Sequence, residues 1–278
     1  MNHLKTKIQS LALASMMALS VITPRAEAKA VSDQKFGKGI SLAAADSSFT
    51  MKFTTRIQNR MDTDFKDSEE GEWSNKAYLR RARLKFGGFA FDPTLVYKME
   101  FDVVNGEVLD AVVKWNFVEN FHLWFGQTKL AGNRERVISS QKLQFVDRSL
   151  LNKRYNIDRD KGIQLRHSIT IGDILIREVV SASMGEGKNV KDASIGNNYT
   201  GRLEVLPFGQ FTGKGDYFSS DLKREKSPKL ALGATYDFNH NAVRSGGQLG
   251  DFMGENRDLK TIFADMMFKF RGISVMAE

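Results

Sequence analysis

Six cations fall at same-parity positions of two short segments: Lys52, Arg56 and Arg60 in the first, Arg81, Arg83 and Lys85 in the second. In an extended chain every second side chain points to the same face. Each segment therefore presents its cations together, with no acidic residue among those charges. Like charges on neighbouring strands repel, and an anion between them relieves the repulsion. Arginine suits an oxyanion, because its planar fork donates two parallel hydrogen bonds. Stripes of Arg and Lys make pores selective for anions or phosphate. Lys98 and Lys114 continue the polar parity further along, and residues 129–160 carry eight cations, Lys142 and Arg148 among them, against four carboxylates.

Other chemistry has little footing. Cysteine is absent, which excludes disulfides, thiol catalysis and thiolate metal sites. The four histidines, His3, His122, His167 and His240, fit no metal-ligand spacing. There is no G-x-S-x-G elbow, P-loop or dinucleotide fingerprint. The reading is of a non-enzyme with no catalytic residue, metal or cofactor. The net charge of +8 invites a nucleic-acid partner, but strand-borne arginines behind an export signal argue against one.

The elements that must position these cations are strands. Phe49, Met51, Phe53, Ile57 and Met61 alternate with the cations of the first segment, and Tyr78, Ala82, Leu84 and Phe86 with those of the second. The same period-two pattern recurs to the C-terminal end and predicts about ten strands. Each has roughly the 9–11 residues that cross a bilayer at a tilt. Connections at 91–94 and 118–120 read as tight turns; 62–75, 129–160 and 209–229 read as long polar loops. Short turns at one end and long loops at the other are the habit of outer-membrane barrels. The loop at 129–160 is long for a chain without structure of its own and is a candidate constriction. Aromatics near the strand ends, Tyr78, Trp115, Phe117, Phe121, Tyr199 and Phe238, read as an interfacial girdle.

Residues 1–28 read as an export leader: Lys5 and Lys7, an apolar stretch, then Ala26-Glu27-Ala28 as the cleavage signal. Residues 29–278 then form one domain. Hydrophobic residues at 41% and charged residues at 27%, without repeated apolar runs of about 20 residues, exclude a helical membrane protein. The alternation also suits a soluble sandwich, so a non-conducting exported barrel or sandwich for adhesion or ligand binding is the alternative reading.

The stretch KAYLRRARLKFGG at 76–88 resembles an early strand of the phosphate-selective porin O and P family. FTMKFTTRIQ at 49–58 is similar to that family's first strand, and YKMEFD at 97–102, LDAVV at 109–113 and FGQTK at 125–129 follow in the expected order. Ser139-Ser140 to Ser149 is similar to the segment leading out of the family's constriction loop, and KGIQ at 161–164 to the next strand. The resemblance implies a homotrimeric, antiparallel up-and-down transmembrane β-barrel of about 16 strands in the bacterial outer membrane. It implies passive diffusion of phosphate or other small anions past Arg and Lys, with outer-membrane lipid outside. By position Arg56, Arg80 and Arg81 match basic residues that line its pore, and Arg148 matches the Arg that follows its constriction loop. Where the family has Lys after the Ser pair, this chain has Gln141 and then Lys142. Arg80 shares the parity of Tyr78 and Ala82, the expected lipid face. There it would cost about 2–4 kcal/mol at mid-depth, so a rim, a subunit interface or a bulge that turns it inward is required. Closing about 16 strands takes more chain than this, so a truncated, open or incomplete barrel is expected.

Overall fold

A computed structural model describes residues 28–30, 37–67, 71–191 and 196–278, the first three by backbone alone. The leader expected at 1–28 lies outside the described residues, except for Ala28.

The chain is all-β, with thirteen strands among the described residues in one antiparallel sheet and each strand paired to its sequence neighbours. They are β1 (Ala28–Ala30), β2 (Ile40–Ala44), β3 (Thr50–Lys66), β4 (Glu72–Ala90), β5 (Asp92–Asp102), β6 (Glu107–Val118), β7 (Phe121–Lys129), β8 (Arg159–Ile171), β9 (Ile174–Ser183), β10 (Asn198–Leu206), β11 (Lys229–Gly246), β12 (Leu249–Phe270) and β13 (Ile273–Ala277). The ten expected strands are β3 to β12; the short strands at either edge lack enough alternation to be read. Among the described residues no ladder joins β13 to β1.

The two faces differ as the alternation predicts. On one, Ile57 is 73% and Ile262 77% exposed; on the other, Arg81 is 8% exposed and Asp265 6%. The polar face is covered because the chain returns to it. Residues 130–158, with the short helices α1 (Arg134–Val137) and α2 (Leu150–Arg154), turn back onto it. From there Arg56 of β3 donates to Ser140 Oγ at 3.0 Å, and Asn133 donates to Glu278, just past β13, at 3.0 Å. One segment thus touches the third strand and the end of the last, so the sheet is curled around it.

Three expectations change. The loop expected at 62–75 is mostly strand, because β3 and β4 pair as far as Lys66↔Glu72. Segment 207–228 is not at the long-loop end. Antiparallel strands alternate direction, so it emerges where the neighbouring connections, Phe91, 119–120, 172–173 and 271–272, are tight. Tyr78 does not belong to the outer aromatic girdle. The β3–β4 register slips between Gln58 and Asn59, leaving Arg80 as the extra residue of a bulge. Beyond the bulge the parity is inverted. Tyr78 then lies opposite Arg60 and donates to Asp62 Oδ2 at 3.1 Å.

A small apolar cluster sits on the inner face where the two returning segments meet. Ile138, Leu206, Phe211, Ala231 and Met267 are its buried members.

Candidate functional site

Inside the curl lies a cavity of about 1010 Å³. Fourteen Arg and Lys side chains line it against five carboxylates. The cations come from β4 to β10 and from both returning segments, four from β4 and one or two from each of the other strands.

The carboxylates are not spread evenly. Glu100, Asp102 and Asp110, on β5 and β6, face the cations of β4. Lys85 lies opposite Glu100 in the register and Arg83 opposite Asp102. Arg83 reaches Glu100 at 3.2 Å and Asp102 at 3.6 Å, and Lys85 reaches Glu100 at 3.4 Å. Lys98 reaches Glu100 at 3.2 Å and also binds Asp110, which Arg159 holds from the other side at 2.8 Å. The like-charge stripe read within β3 and β4 is therefore balanced in part by the next two strands, a cross-strand relation that parity within one strand does not show.

A second balanced group fixes the returning segments. Arg134, fully buried, donates to Asp265 at 2.7 Å and Glu204 at 3.1 Å. Arg202 donates to the same two carboxylates at 2.7 Å each. Arg177 pairs with Asp216 at 2.5 Å, and Tyr217 donates to Glu204 at 3.0 Å. Such a group is tolerated because every charge is matched and hydrogen-bonded. Gly233 lies against it; a Cβ there would collide with the Arg202 guanidinium and the Asp265 carboxylate.

Six cavity-lining cations have no ion pair among the described residues: Arg81, Lys114, Lys129, Arg148, Arg166 and Lys214. Arg81 donates to Gln58 Oε1 at 2.8 Å, a neutral partner it shares with Arg56. Arg148 donates to the carbonyls of Glu135 at 2.9 Å and Ile138 at 2.7 Å. Burial, and then the neighbouring Arg136, push Arg148 down to about 10. Lys114 and Arg166 both lie over the Trp124 ring, at 3.8 and 4.0 Å from its centroid.

Segment 130–158 is braced from within. Ser149 caps α2 by accepting from Asn152 N at 3.1 Å, and its own hydroxyl donates to Glu135 at 2.6 Å. Arg136 is paired with Asp158.

Of the residues singled out from the sequence, Arg80, Arg81, Arg83, Lys85, Lys98, Lys114 and Arg148 line the cavity. Arg80 does so through the bulge and stands 3.9 Å from Asp147. Arg60 lies outside the lining, bound to Asp62 and Asp147 at 2.5 Å each. Arg56 contacts the cavity only through Ser140. Lys142 stands over the Phe218 ring at 3.8 Å, not in the lining. The sequence reading passed over Arg166, Arg177, Arg202, Lys214 and Trp124. Parity marks Arg166, Arg202 and Trp124 as polar-face residues, but nothing local marks which of them converge.

A model of the family described as phosphate-selective porin O and P matches residues 51–218. A search of curated proteins found no match.

Proposed function

The chain belongs to the phosphate-selective porin O and P family, and from that premise we propose that it passes small anions, phosphate first among them, by passive diffusion through the basic cavity. Membership of a porin family favours a channel over an enzyme. The observation that carries the anion reading is the set of six lining cations without a carboxylate partner among the described residues. A cavity with low-dielectric walls and uncompensated cations concentrates anions and excludes cations. Arg81 and Arg148 are the proposed phosphate donors, because each guanidinium is held by neutral groups and keeps its charge for a ligand. Arg83, Lys85 and Lys98, already sharing Glu100 and its neighbours, supply background potential instead. Location in the outer membrane and a homotrimer belong to the same reading and are supported by the family alone, and export is supported by the leader pattern at 1–28.

The apolar cluster of Ile138, Phe211 and Met267, filling part of the interior, favours the second reading of a non-conducting barrel. Planar-bilayer recording separates the two. A salt gradient should give a reversal potential on the anion side, and millimolar phosphate should reduce the chloride current. Cation preference, or chloride current indifferent to phosphate, would remove the anion reading; no current at all would favour the second.

A further inference from the structure

The two segments that return onto the inner face come from opposite ends of the sheet. Segment 130–158 joins β7 to β8, and segment 207–228 joins β10 to β11 at the tight-turn end. They nevertheless meet. Ser219 N donates to Lys142 O at 2.8 Å, and Arg134 Nη1 donates to Asp216 O at 3.4 Å.

The segment from the tight-turn end is firmly held. Lys269 donates to the carbonyls of Gly215, Phe218 and Ser220 at 2.8 Å each, and Thr212 N donates to Glu225 at 2.7 Å. At its tip is Lys214, exposed, with φ 58° in the left-handed region that a lysine rarely adopts. The tip is therefore over-determined by its anchors, and it places the Lys214 side chain in the cavity lining together with Lys114 and Arg166. Those two cations flank Trp124, and Arg166 Nε is buried with no hydrogen-bond partner. None of the three has an ion pair among the described residues. Three cations converging without an ion pair repel one another, and an anion held between them relieves that repulsion.

This group is separate from the one around Arg81. Lys85, Glu100 and Asp110 share one level of the β4–β6 ladder. Arg81 lies four residues from that level toward segment 130–158, and Lys114 four residues from it toward the tight-turn end. At about 3.3 Å per residue the two groups are separated by roughly 25 Å along the strands.

We propose that segment 207–228 completes a second oxyanion station, in which Lys214, Lys114 and Arg166 around Trp124 hold a phosphate-like anion, in series with the Arg81–Arg148 station. The station rests on the anion-pore reading. It makes Lys214, contributed by a turn at the end where turns are otherwise tight, a specificity-determining residue.

The chain has no cysteine, so Ser168→Cys gives a single thiol in the cavity lining, two residues from Arg166 on the same face. On the full chain in detergent micelles, an anionic methanethiosulfonate should modify this thiol faster than a cationic one, and inorganic phosphate should slow the anionic reaction. Adding Lys214→Gln should lower the anionic-to-cationic rate ratio at least about threefold, and Lys214→Arg should restore it. Because Lys214 is exposed, neither change disturbs packing, and the arginine variant controls for the fold. An unchanged ratio in Lys214→Gln, or no protection by phosphate, while the channel itself is anion-selective in bilayers, overturns the station alone. Cation selectivity in bilayers overturns the pore reading and the station with it.

Discussion

Arg81 and Arg83 are two residues apart on one strand and face the same cavity, yet they do different work. Arg83 is held by Glu100 and Asp102, so its charge is largely answered by the protein. Arg81 has only the Gln58 carbonyl oxygen, so its charge is answered by whatever enters. Arg148 is in the same position with two backbone carbonyls, and burial and Arg136 bring it down to about 10. Between that value and the ordinary arginine value the unfolded chain binds more protons than the folded one. Stability from this group is therefore lowest below about pH 10 and recovers as pH rises through that interval. Its effect on anions has the opposite sign, because the charge that binds them is lost. Phosphate block of chloride current should thus be stronger in the parent than in Arg148→Gln at pH 8, and the difference should vanish above about pH 10. A difference that persists at alkaline pH would mean that Arg148 acts through packing and not through charge.

At the scale of elements, the returning segments are held by charge matching more than by apolar area. The apolar cluster has five buried members, whereas Arg134 ties segment 130–158 to Glu204 of β10 and Asp265 of β12, Arg202 of β10 shares both carboxylates, and Arg177 of β9 ties segment 207–228 through Asp216. Removing one member of a buried ionic group leaves its partners desolvated and unmatched, typically at about 3–5 kcal/mol. Arg202 still holds Glu204 and Asp265 when Arg134 is lost. Arg134→Met should therefore destabilise by about 3 kcal/mol, near the low end of that range, read from chemical unfolding in detergent. Arg134→Met with Asp265→Asn should recover part of the loss. A double variant that merely adds the two single losses would show that the pair is not coupled. The bulge at Arg80 works at this scale too: one extra residue places Arg80 and Tyr78 on the inner face beside Asp147 and Asp62.

At the scale of the whole molecule, the sheet is an oily surface turned outward around a charged interior. Ile57 and Ile262 are the clearest outward residues. If lipid covers them, Ile57→Arg should cost about 2–4 kcal/mol of folding free energy in vesicles, while Ile57→Leu should be neutral. Equal behaviour of the two variants would mean that this face does not meet lipid. The period-two alternation, the all-β class, the ten central strands and the basic character of one face were legible in the chain, because they follow from φ/ψ preferences and parity within single strands. So was the family, through the cluster at 76–88, later matched over 51–218. What only the tertiary structure decided depends on residues far apart in sequence: which cations Glu100 and Asp110 neutralise, the parity inversion at Arg80, and the meeting of Lys214 with Lys114 and Arg166. No local pattern encodes these, since each is set by strand register and by where a loop lands once the sheet has curled.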